Sequence, residues 1–342
     1  MPEPGRLPFI LMTLAIAGAG AIAAALLHLP AAWLSGAMIA VTVASLCRLD
    51  TRLPPRLFDA VLVLLGIVLG AGVTPELVGR VGAWPISLAG LLVSVVVVQL
   101  AVETFLVRIG GWDRPTAFFA SLPGALSYVL AVAAATKADM PKVIVGQSIR
   151  LFFLVAALPS IIVAVGHAPP ASAQWNVASL PALIVLVAAS VAGGLLFRRL
   201  KFPGALLAGS FFIGAALHGS GLIEGTLPYP VVVAGFILLG AFVGGRFWGT
   251  DIWLLRQIGA VSVGALAVGL GVAACFAAAI AWLTGIGFAQ VLMAFAPGGM
   301  DSMTSVAIAL HMDSAYVAFH QLARFVLIAL AAPITARLWF KR

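Results

Sequence analysis

The sequence has 342 residues, of which 63% are hydrophobic and only 9% are charged, against about 25% charged residues in an ordinary soluble domain. This composition excludes a soluble globular protein. The formal net charge of +8 therefore reflects loop lysines and arginines rather than a nucleic-acid surface. Cys47 and Cys275 both lie in apolar runs, which indicates neither a disulfide framework nor a metal site. We interpret the chain as an all-α polytopic membrane protein whose first partner is the lipid bilayer.

Apolar runs long enough to cross a hydrocarbon core of about 30 Å recur along the whole chain. In the first half they predict helices over 8–27, 31–47, 57–79, 83–107 and 142–166, with a more polar, interrupted segment over 114–136. In the second half they predict helices over 178–197, 203–218, 229–248, 256–283 and 315–338, with an interrupted segment over 288–311. The predicted organisation is a first membrane repeat over 1–166, a linker over 167–177 and a second membrane repeat over 178–342.

The two halves resemble each other in sequence. An offset of 174 residues places 122–159 over 296–333 without a gap, and 11 of the 38 positions are identical. Polar residues recurring at fixed spacing predict a duplication, an arrangement that is common in transporters. The identical positions include Pro123 with Pro297, Gly124 with Gly298, Asp139 with Asp313, Gln147 with Gln321, and Arg150 with Arg324.

The positions of lysine and arginine predict how the halves are oriented. If each Pro-Gly segment dips into the membrane and returns to the same side, the loop cations fall on the cytoplasmic side, and only Arg80 is clearly outside. If the segments cross fully, Arg198, Arg199 and Lys201 are forced outside. The positive-inside bias favours the first arrangement. It predicts two inverted-topology repeats of about five transmembrane helices, each with a re-entrant or broken Pro-Gly segment, and both termini in the cytoplasm.

The Pro-Gly segments, "SLPGALS" and "FAPGGMDS", are candidate binding elements. Non-helical backbone at membrane depth must be buried in protein or line a cavity. A helix that begins after each break would direct free N–H groups and partial positive charge toward an anion. The alternative is a proline-kinked span packed through glycine. The candidate substrate-binding residues are Ser121, Pro123, Gly124 and Ser127 in the first half and Pro297, Gly298, Gly299 and Ser302 in the second.

A Gln-x-x-Arg pair follows each break and adds four candidate substrate-binding residues, Gln147, Arg150, Gln321 and Arg324. Residues three apart share one face of a helix. Arginine near mid-membrane costs at least about 2.5 kcal/mol on insertion scales and should face a partner or a wet cavity. Two compatible interpretations stay open: the guanidinium groups bind a carboxylate, or they bond backbone carbonyls at the tips of the breaks.

Asp301 and His320 are candidate coupling residues. Asp301 lies early in the segment after the second break, and His320 precedes Gln321. An intramembrane carboxylate can bind Na⁺ or carry a proton, and histidine titrates near neutral pH. The alternative for each is a satisfied structural group. For Asp139 and Asp313 the favoured interpretation is an N-cap of the following helix.

No enzymatic constellation is visible in the sequence. The five histidines are scattered, and no closely spaced metal-ligand set, P-loop or nucleophile elbow occurs, although such patterns carry most metal, phosphate and acyl chemistry. We therefore expect no enzyme activity, no metal and no resident cofactor. No stretch reads as a DNA-binding module, so direct contact with nucleic acid is not expected.

The paired "LPG-x-x-S" and "APGG" segments, each followed by a Gln-x-x-Arg helix, resemble the bacterial AbrB-like membrane protein family over nearly the whole chain. Members of that family have been described as regulators of gene expression, as transporters and as ammonia mono-oxygenases. They often carry glutamate shortly after the Pro-Gly-Gly, where this chain has Tyr128 and Ser302, with Asp301 one position earlier. The resemblance also implies an architecture like that of sodium-coupled carboxylate symporters, an analogy of fold that assigns no substrate.

The sequence therefore predicts a secondary transporter of the bacterial inner membrane. Its substrate would be a small, anionic metabolite, bound at the two Pro-Gly tips and coupled to Na⁺ or H⁺, because no nucleotide-binding motif is present. An alternative is a membrane sensor that influences gene expression through a partner protein. A membrane mono-oxygenase is disfavoured because it needs a metal. A homodimer is a further partner arrangement that the sequence leaves open.

Overall fold

The computed structural model describes residues 7–75, 84–123, 126–134, 136–166, 175–202 and 204–339. Over these ranges the chain is helical, and its one β pairing is an isolated bridge between Val177 and Thr226. Of the predicted linker 167–177, residues 167–174 lie outside the described part of the chain. The helices of the first half are α1 (Leu7–Leu26), α2 (Ala32–Leu46), α3 (Pro55–Ala71), α4 (Trp84–Arg108), α5 (Arg114–Ser121), α6 (Leu126–Ala133) and α7 (Met140–Ala164).

The second half has the same succession of described helices. The helices of the second half are α8 (Leu180–Arg199), α9 (Ala205–Gly219), α10 (Tyr229–Gly245), α11 (Ile252–Thr284), α12 (Phe288–Phe295), α13 (Met300–Ala309) and α14 (Ser314–Trp339). Corresponding helices match in length: α1 and α8 have 20 residues each, α2 and α9 have 15, α3 and α10 have 17, and α5 and α12 have eight.

Local sequence explains several helix ends. Helix α3 begins at Pro55, since proline at the first position lacks only an N–H that has no helical partner there. Helix α11 begins after Asp251, whose side chain accepts from the backbone N–H of Trp253 at 2.9 Å, a typical N-cap. Helix α3 was predicted to continue to residue 79 but ends at Ala71, before the sequence Gly-Val-Thr-Pro, which disfavours further helix.

By length and composition, six of the described helices could cross a membrane: α1, α4, α7, α8, α11 and the Ser314–Ala332 part of α14. Helices α2, α9 and α10 are apolar but shorter. The surfaces of the membrane-length helices are suited to contact with lipid, because large apolar side chains are exposed along them. On α4, for example, Leu92, Val93, Val96 and Leu100 are 42–55% exposed.

The helices form two compact units, and each unit takes segments from both halves of the sequence. The first unit comprises Met1–Gly82, Val155–Gly249 and Thr304–Ala318. In it α3 packs on α9 and α2 packs on α10. Glycine permits these close crossings: a Cβ atom on Gly70 would lie 2.7 Å from the Cα atom of Gly214.

The second unit comprises Ala83–Leu154, Thr250–Met303 and Phe319–Arg342. Here α4 packs against α11, the short helix α5 packs on α4, and α12 packs on α11. Among the described residues, all the candidate site residues predicted from the sequence lie in this unit.

Candidate functional site

The first helix break separates α5 from α6. Helix α5 ends at Ser121, and Leu122 has extended backbone (φ −58°, ψ 120°), as a residue before proline prefers. Leu122 and Pro123 are buried. The Ser121 hydroxyl donates to the carbonyl of Phe118 at 2.9 Å and accepts from Gln99 Nε2 at 2.6 Å. Gly124 and the side chain of Ser127, both predicted site residues, lie outside the described part.

The second helix break separates α12 from α13 and follows the same rule. Ala296, which precedes Pro297, has extended backbone (φ −53°, ψ 131°). The backbone N–H of Gly298 donates to the Ala296 carbonyl at 2.8 Å. Both short helices therefore end where a proline removes the next helical hydrogen bond.

Gln147 and Arg150, on α7, bind the end of α5. The last carbonyls of a helix have no partner within it, and the negative end of the helix dipole favours a cation. Gln147 Nε2 donates to the carbonyl of Phe119 at 2.8 Å. The guanidinium of Arg150 donates to the next three carbonyls, those of Ala120 (3.2 Å), Ser121 (3.3 Å) and Leu122 (2.8 Å).

Gln321 and Arg324, on α14, do the same at the second break. Gln321 Nε2 donates to the carbonyls of Met293 and Ala294 at 3.1 and 3.2 Å. Arg324 donates to the Ala296 carbonyl through Nη1 and to the Gln321 side-chain oxygen through Nη2. It also donates to the Gly298 carbonyl at 2.6 Å. Each Gln-Arg pair thus replaces the hydrogen bonds that a continuous helix would have made.

The two guanidinium groups bring positive charge into the second unit. Arg324 is 2% exposed and Arg150 is partly buried. The ion pairs of the described residues join Arg52 to Asp50, Lys142 to Asp139 and Arg198 to Asp59. None of these pairs neutralises Arg150 or Arg324.

Asp301, Ser302 and Gly299 lie together where α13 begins. Asp301 is in the first turn of the helix, and a Cβ atom on Gly299 would lie 2.7 Å from its Oδ1 atom. Ser302 is fully buried, and its hydroxyl has no hydrogen-bond partner among the described residues. The site thus holds a carboxylate and a buried hydroxyl at a helix N-terminus.

His320 is fully buried on α14. Its Nε2 atom lies 2.8 Å from the hydroxyl of Ser87, and that hydroxyl donates to the carbonyl of Trp84 at 2.9 Å. The rings of Trp84, Phe295 and Phe319 surround the imidazole, with centroid distances of 6.2–6.5 Å. Because the hydroxyl already donates elsewhere, its oxygen accepts from an Nε2–H group.

Asp139 and Asp313 act as helix caps. Asp139 accepts from the backbone N–H of Lys142 at 3.2 Å, and Asp313 accepts from that of Tyr316 at 3.0 Å. Burial raises the pKa of Asp313, and the backbone N–H groups of Tyr316 and Ala315 offset part of that rise.

Three polar side chains that sequence analysis did not select also belong to this region: Gln99, Ser87 and Ser262. Gln99 interrupts the apolar run "VVVVQLAV". This single amide in an apolar helix could have identified it as a candidate site residue. It donates to Ser121 and to the Phe118 carbonyl, at 2.6 and 3.1 Å. The two serines gave no such signal, since serine is common in membrane helices.

A small cavity adjoins both breaks within the second unit. Ala120, Ser121 and Arg150 line it from the first break and Pro297 from the second. The cavity offers about 20 Å³ to the centre of a water-sized particle, which is room for one water molecule. Most of the remaining lining is apolar.

Comparison with known proteins connects this site to a family. A family model described as "Transition state regulatory protein AbrB" matches residues 33–340, a range that includes both breaks. A relative named "Putative regulator AbrB", from Escherichia coli, is 28% identical over 319 residues, covering 91% of this chain and 90% of the relative. A second relative, "Uncharacterized protein YhjN" from Bacillus subtilis, is 26% identical over 297 residues, covering 80% of this chain and 76% of the relative. With its paired helix breaks and membrane-length helices, this chain belongs to the AbrB family of membrane proteins.

Proposed function

We propose that this protein is an ion-coupled secondary transporter of a small anionic metabolite in the bacterial inner membrane. The substrate would bind at the two helix breaks, next to the N-termini of α6 and α13. Gln147, Arg150, Gln321 and Arg324 would support the breaks from behind.

The paired Gln-Arg caps carry this proposal. Non-helical backbone is tolerated at membrane depth only where protein or a wet cavity satisfies it, and here the same residue types satisfy it twice. Discontinuous helices at corresponding positions of two repeats form the substrate and ion sites of many secondary transporters. The two breaks of this chain are therefore the proposed substrate and ion site.

The local charge supports an anionic substrate. Arginine has five N–H donors, and Arg150 makes three described bonds, so donors remain for a ligand. Neither Arg150 nor Arg324 pairs with a carboxylate of the described residues. A carboxylate substrate would supply the missing negative charge.

We propose ten crossings in two inverted repeats, with re-entrant breaks. Six described helices have membrane length. Helices α2, α3, α9 and α10, of 15–17 residues, would cross where the hydrocarbon layer is locally thinner. The positive-inside bias favours this arrangement with cytoplasmic termini.

The cavity between the breaks is too small for a metabolite in the described conformation, since it has room for one water-sized particle. Uptake would therefore require the breaks to move apart, as alternating access requires. Asp301 is the proposed coupling residue for Na⁺ or H⁺, because it stands at the start of α13. His320 would contribute only if its contact with Ser87 opens.

A transport assay tests this proposal. Purified protein would first be screened by thermal shift against carboxylates, amines and purine-like metabolites, with and without Na⁺, and the stabilising compounds then assayed as radiolabelled substrates in proteoliposomes. We expect uptake driven by a Na⁺ or pH gradient, a loss of at least tenfold in Asp301→Asn, and little change in Arg256→Gln, an exposed arginine of α11. Binding without flux under every gradient would refute transport.

Cysteine accessibility tests the topology separately. Cys47 and Cys275 are both exposed and unpaired, so both would first be replaced by serine. Single cysteines at Gly124 and Gly298 would then be labelled from each side of the membrane. Labelling from opposite sides supports inverted repeats, and labelling of both from one side contradicts them.

A second candidate function is a membrane sensor that acts on gene expression through a partner protein. The name of the Escherichia coli relative, "Putative regulator AbrB", favours it. A sensor predicts ligand binding without flux and a protein that co-purifies with it. The transport assay distinguishes the two candidates, since only a transporter accumulates the labelled compound.

A further inference from the structure

The two repeats differ at the position that precedes the glutamine found in both, Gln147 and Gln321. His320 in the second half corresponds to Gly146 in the first. The imidazole of His320 bonds to the hydroxyl of Ser87 at 2.8 Å. At Gly146 there is no side chain to make the equivalent contact.

A serine hydroxyl lies next to the position that Gly146 leaves empty. A Cβ atom on Gly146 would lie 3.6 Å from Ser262 Oγ and 3.3 Å from the ring of Trp112. Ser262 is 4% exposed, and its Oγ atom has no hydrogen-bond partner among the described residues. A buried hydroxyl without a partner is costly, which points to a ligand that the protein atoms do not supply.

The empty position is part of the cavity that adjoins the helix breaks. Gly146, Ser262, Trp112 and Arg150 all line it. Its volume, about 20 Å³ for the centre of a water-sized particle, admits one water molecule or one monatomic ion. The ligand is therefore no larger than a single small particle.

The chemistry of the lining selects the ligand. Arg150 offers positive charge and N–H donors, and Ser262 offers a hydroxyl donor. The Ser121 hydroxyl, which also lines the cavity, already donates to the Phe118 carbonyl. Among the described residues, no carboxylate lines the cavity. A water molecule would find few acceptors for its own hydrogens, whereas a monatomic anion needs only donors and would neutralise the charge of Arg150.

We propose that this cavity binds a chloride ion, held by the Ser262 hydroxyl and the Arg150 guanidinium in the space left by Gly146. The ion would neutralise a charge that lies beside the first helix break while no anionic substrate is bound there. This site does not depend on the proposed transport activity, because it would serve the fold of a sensor equally well.

Bromide, which replaces chloride and scatters anomalously, is the probe. Crystals of the full-length protein grown in sodium bromide should show an anomalous peak between Ser262 Oγ and Arg150. In detergent, the unfolding temperature should be about 2–4 °C higher in sodium bromide than in sodium gluconate, as expected for a ligand that binds only the folded state.

Two variants and a control make the stability test specific. Ser262→Ala removes one donor, and Gly146→Ala places a methyl group in the cavity, so both should abolish the difference between bromide and gluconate. Ser148→Ala removes another buried hydroxyl that has no partner among the described residues and does not line the cavity. It should keep the full difference.

Other results would overturn the proposal. One is the absence of an anomalous peak at this position, with ordinary water density in its place. Another is a halide effect in Ser262→Ala as large as in the unmodified protein. If Gly146→Ala does not fold, Ser262→Ala alone decides the matter, since it leaves every described hydrogen bond of Arg150 intact.

Discussion

Arg150 Nη2 donates to the backbone carbonyl of Leu122 at 2.8 Å, across the point where α5 ends and the chain turns before a proline. This bond and its counterpart from Arg324 to Gly298, at 2.6 Å, keep two helix breaks satisfied in the interior. The guanidinium groups of Arg150 and Arg324 therefore have a structural role, which is to bind the backbone carbonyls at the breaks.

Replacing either arginine by lysine should destabilise the protein, although the charge is kept. Lysine is a point charge and cannot span several carbonyls as the planar guanidinium does. We expect Arg150→Lys and Arg324→Lys each to lower the free energy of unfolding by about 1.5–3 kcal/mol, the range for a hydrogen bond to a charged group. Thermal unfolding in detergent measures this effect. The control is Arg256→Lys, at an exposed position, and equal stability of all three variants would contradict the prediction.

Replacing Gln147 by leucine should leave the Phe119 carbonyl buried without its donor. The expected cost is about 1–3 kcal/mol, seen as a lower unfolding temperature. Gln321→Leu should behave similarly, because it serves the second break in the same way. Gln257→Leu, on an exposed part of α11, should change stability by less than about 0.5 kcal/mol. The prediction fails if Gln147→Leu and Gln257→Leu are indistinguishable.

Ser87→Ala should destabilise the packing around His320. The variant removes the acceptor of the imidazole Nε2–H group within an aromatic surround, which should cost about 1–3 kcal/mol. Because Trp84 contacts the imidazole, its fluorescence should shift as well. Ser148→Ala, which removes a hydroxyl without a described partner, should be nearly neutral. A neutral Ser87→Ala would show that the contact adds nothing to stability.

Asp313→Asn should alter how stability depends on pH. Burial raises the pKa of Asp313 above its ordinary value of 3.8, so the folded state binds the proton more tightly than the unfolded state. Protonation therefore stabilises the fold below pH 3.8, and this contribution is lost as the pH rises through the folded-state pKa. Asparagine keeps the capping oxygen but does not titrate.

The stability of Asp313→Asn relative to the unmodified protein should accordingly be greater at pH 7 than near pH 4. Unfolding temperatures of both proteins across that range provide the measurement, and taking their difference removes the titrations that they share. A difference that does not vary with pH would show that Asp313 titrates normally. Asp251→Asn, at an exposed cap, is the matched control.

Sequence patterns predicted the helices well, for identifiable reasons. Helix α10 was predicted over 229–248 and occupies Tyr229–Gly245, because an apolar run following proline has few alternatives to a helix. The ends of α5 and α12 follow from Pro123 and Pro297, which act on the residue before them. Helix α3 was predicted too long because an apolar run was extended through the Gly-Val-Thr-Pro sequence.

By itself, the sequence determined that the chain is apolar and helical, that its two halves share the paired polar residues, and that α5 and α12 end before Pro123 and Pro297, since each of these depends on composition or on neighbouring residues. Only the tertiary structure decided which atoms Gln147, Arg150 and His320 contact, and that each compact unit draws on both halves. Hydrogen bonds act over about 3 Å, and the partners of these side chains are brought within that distance by folding, not by proximity along the chain.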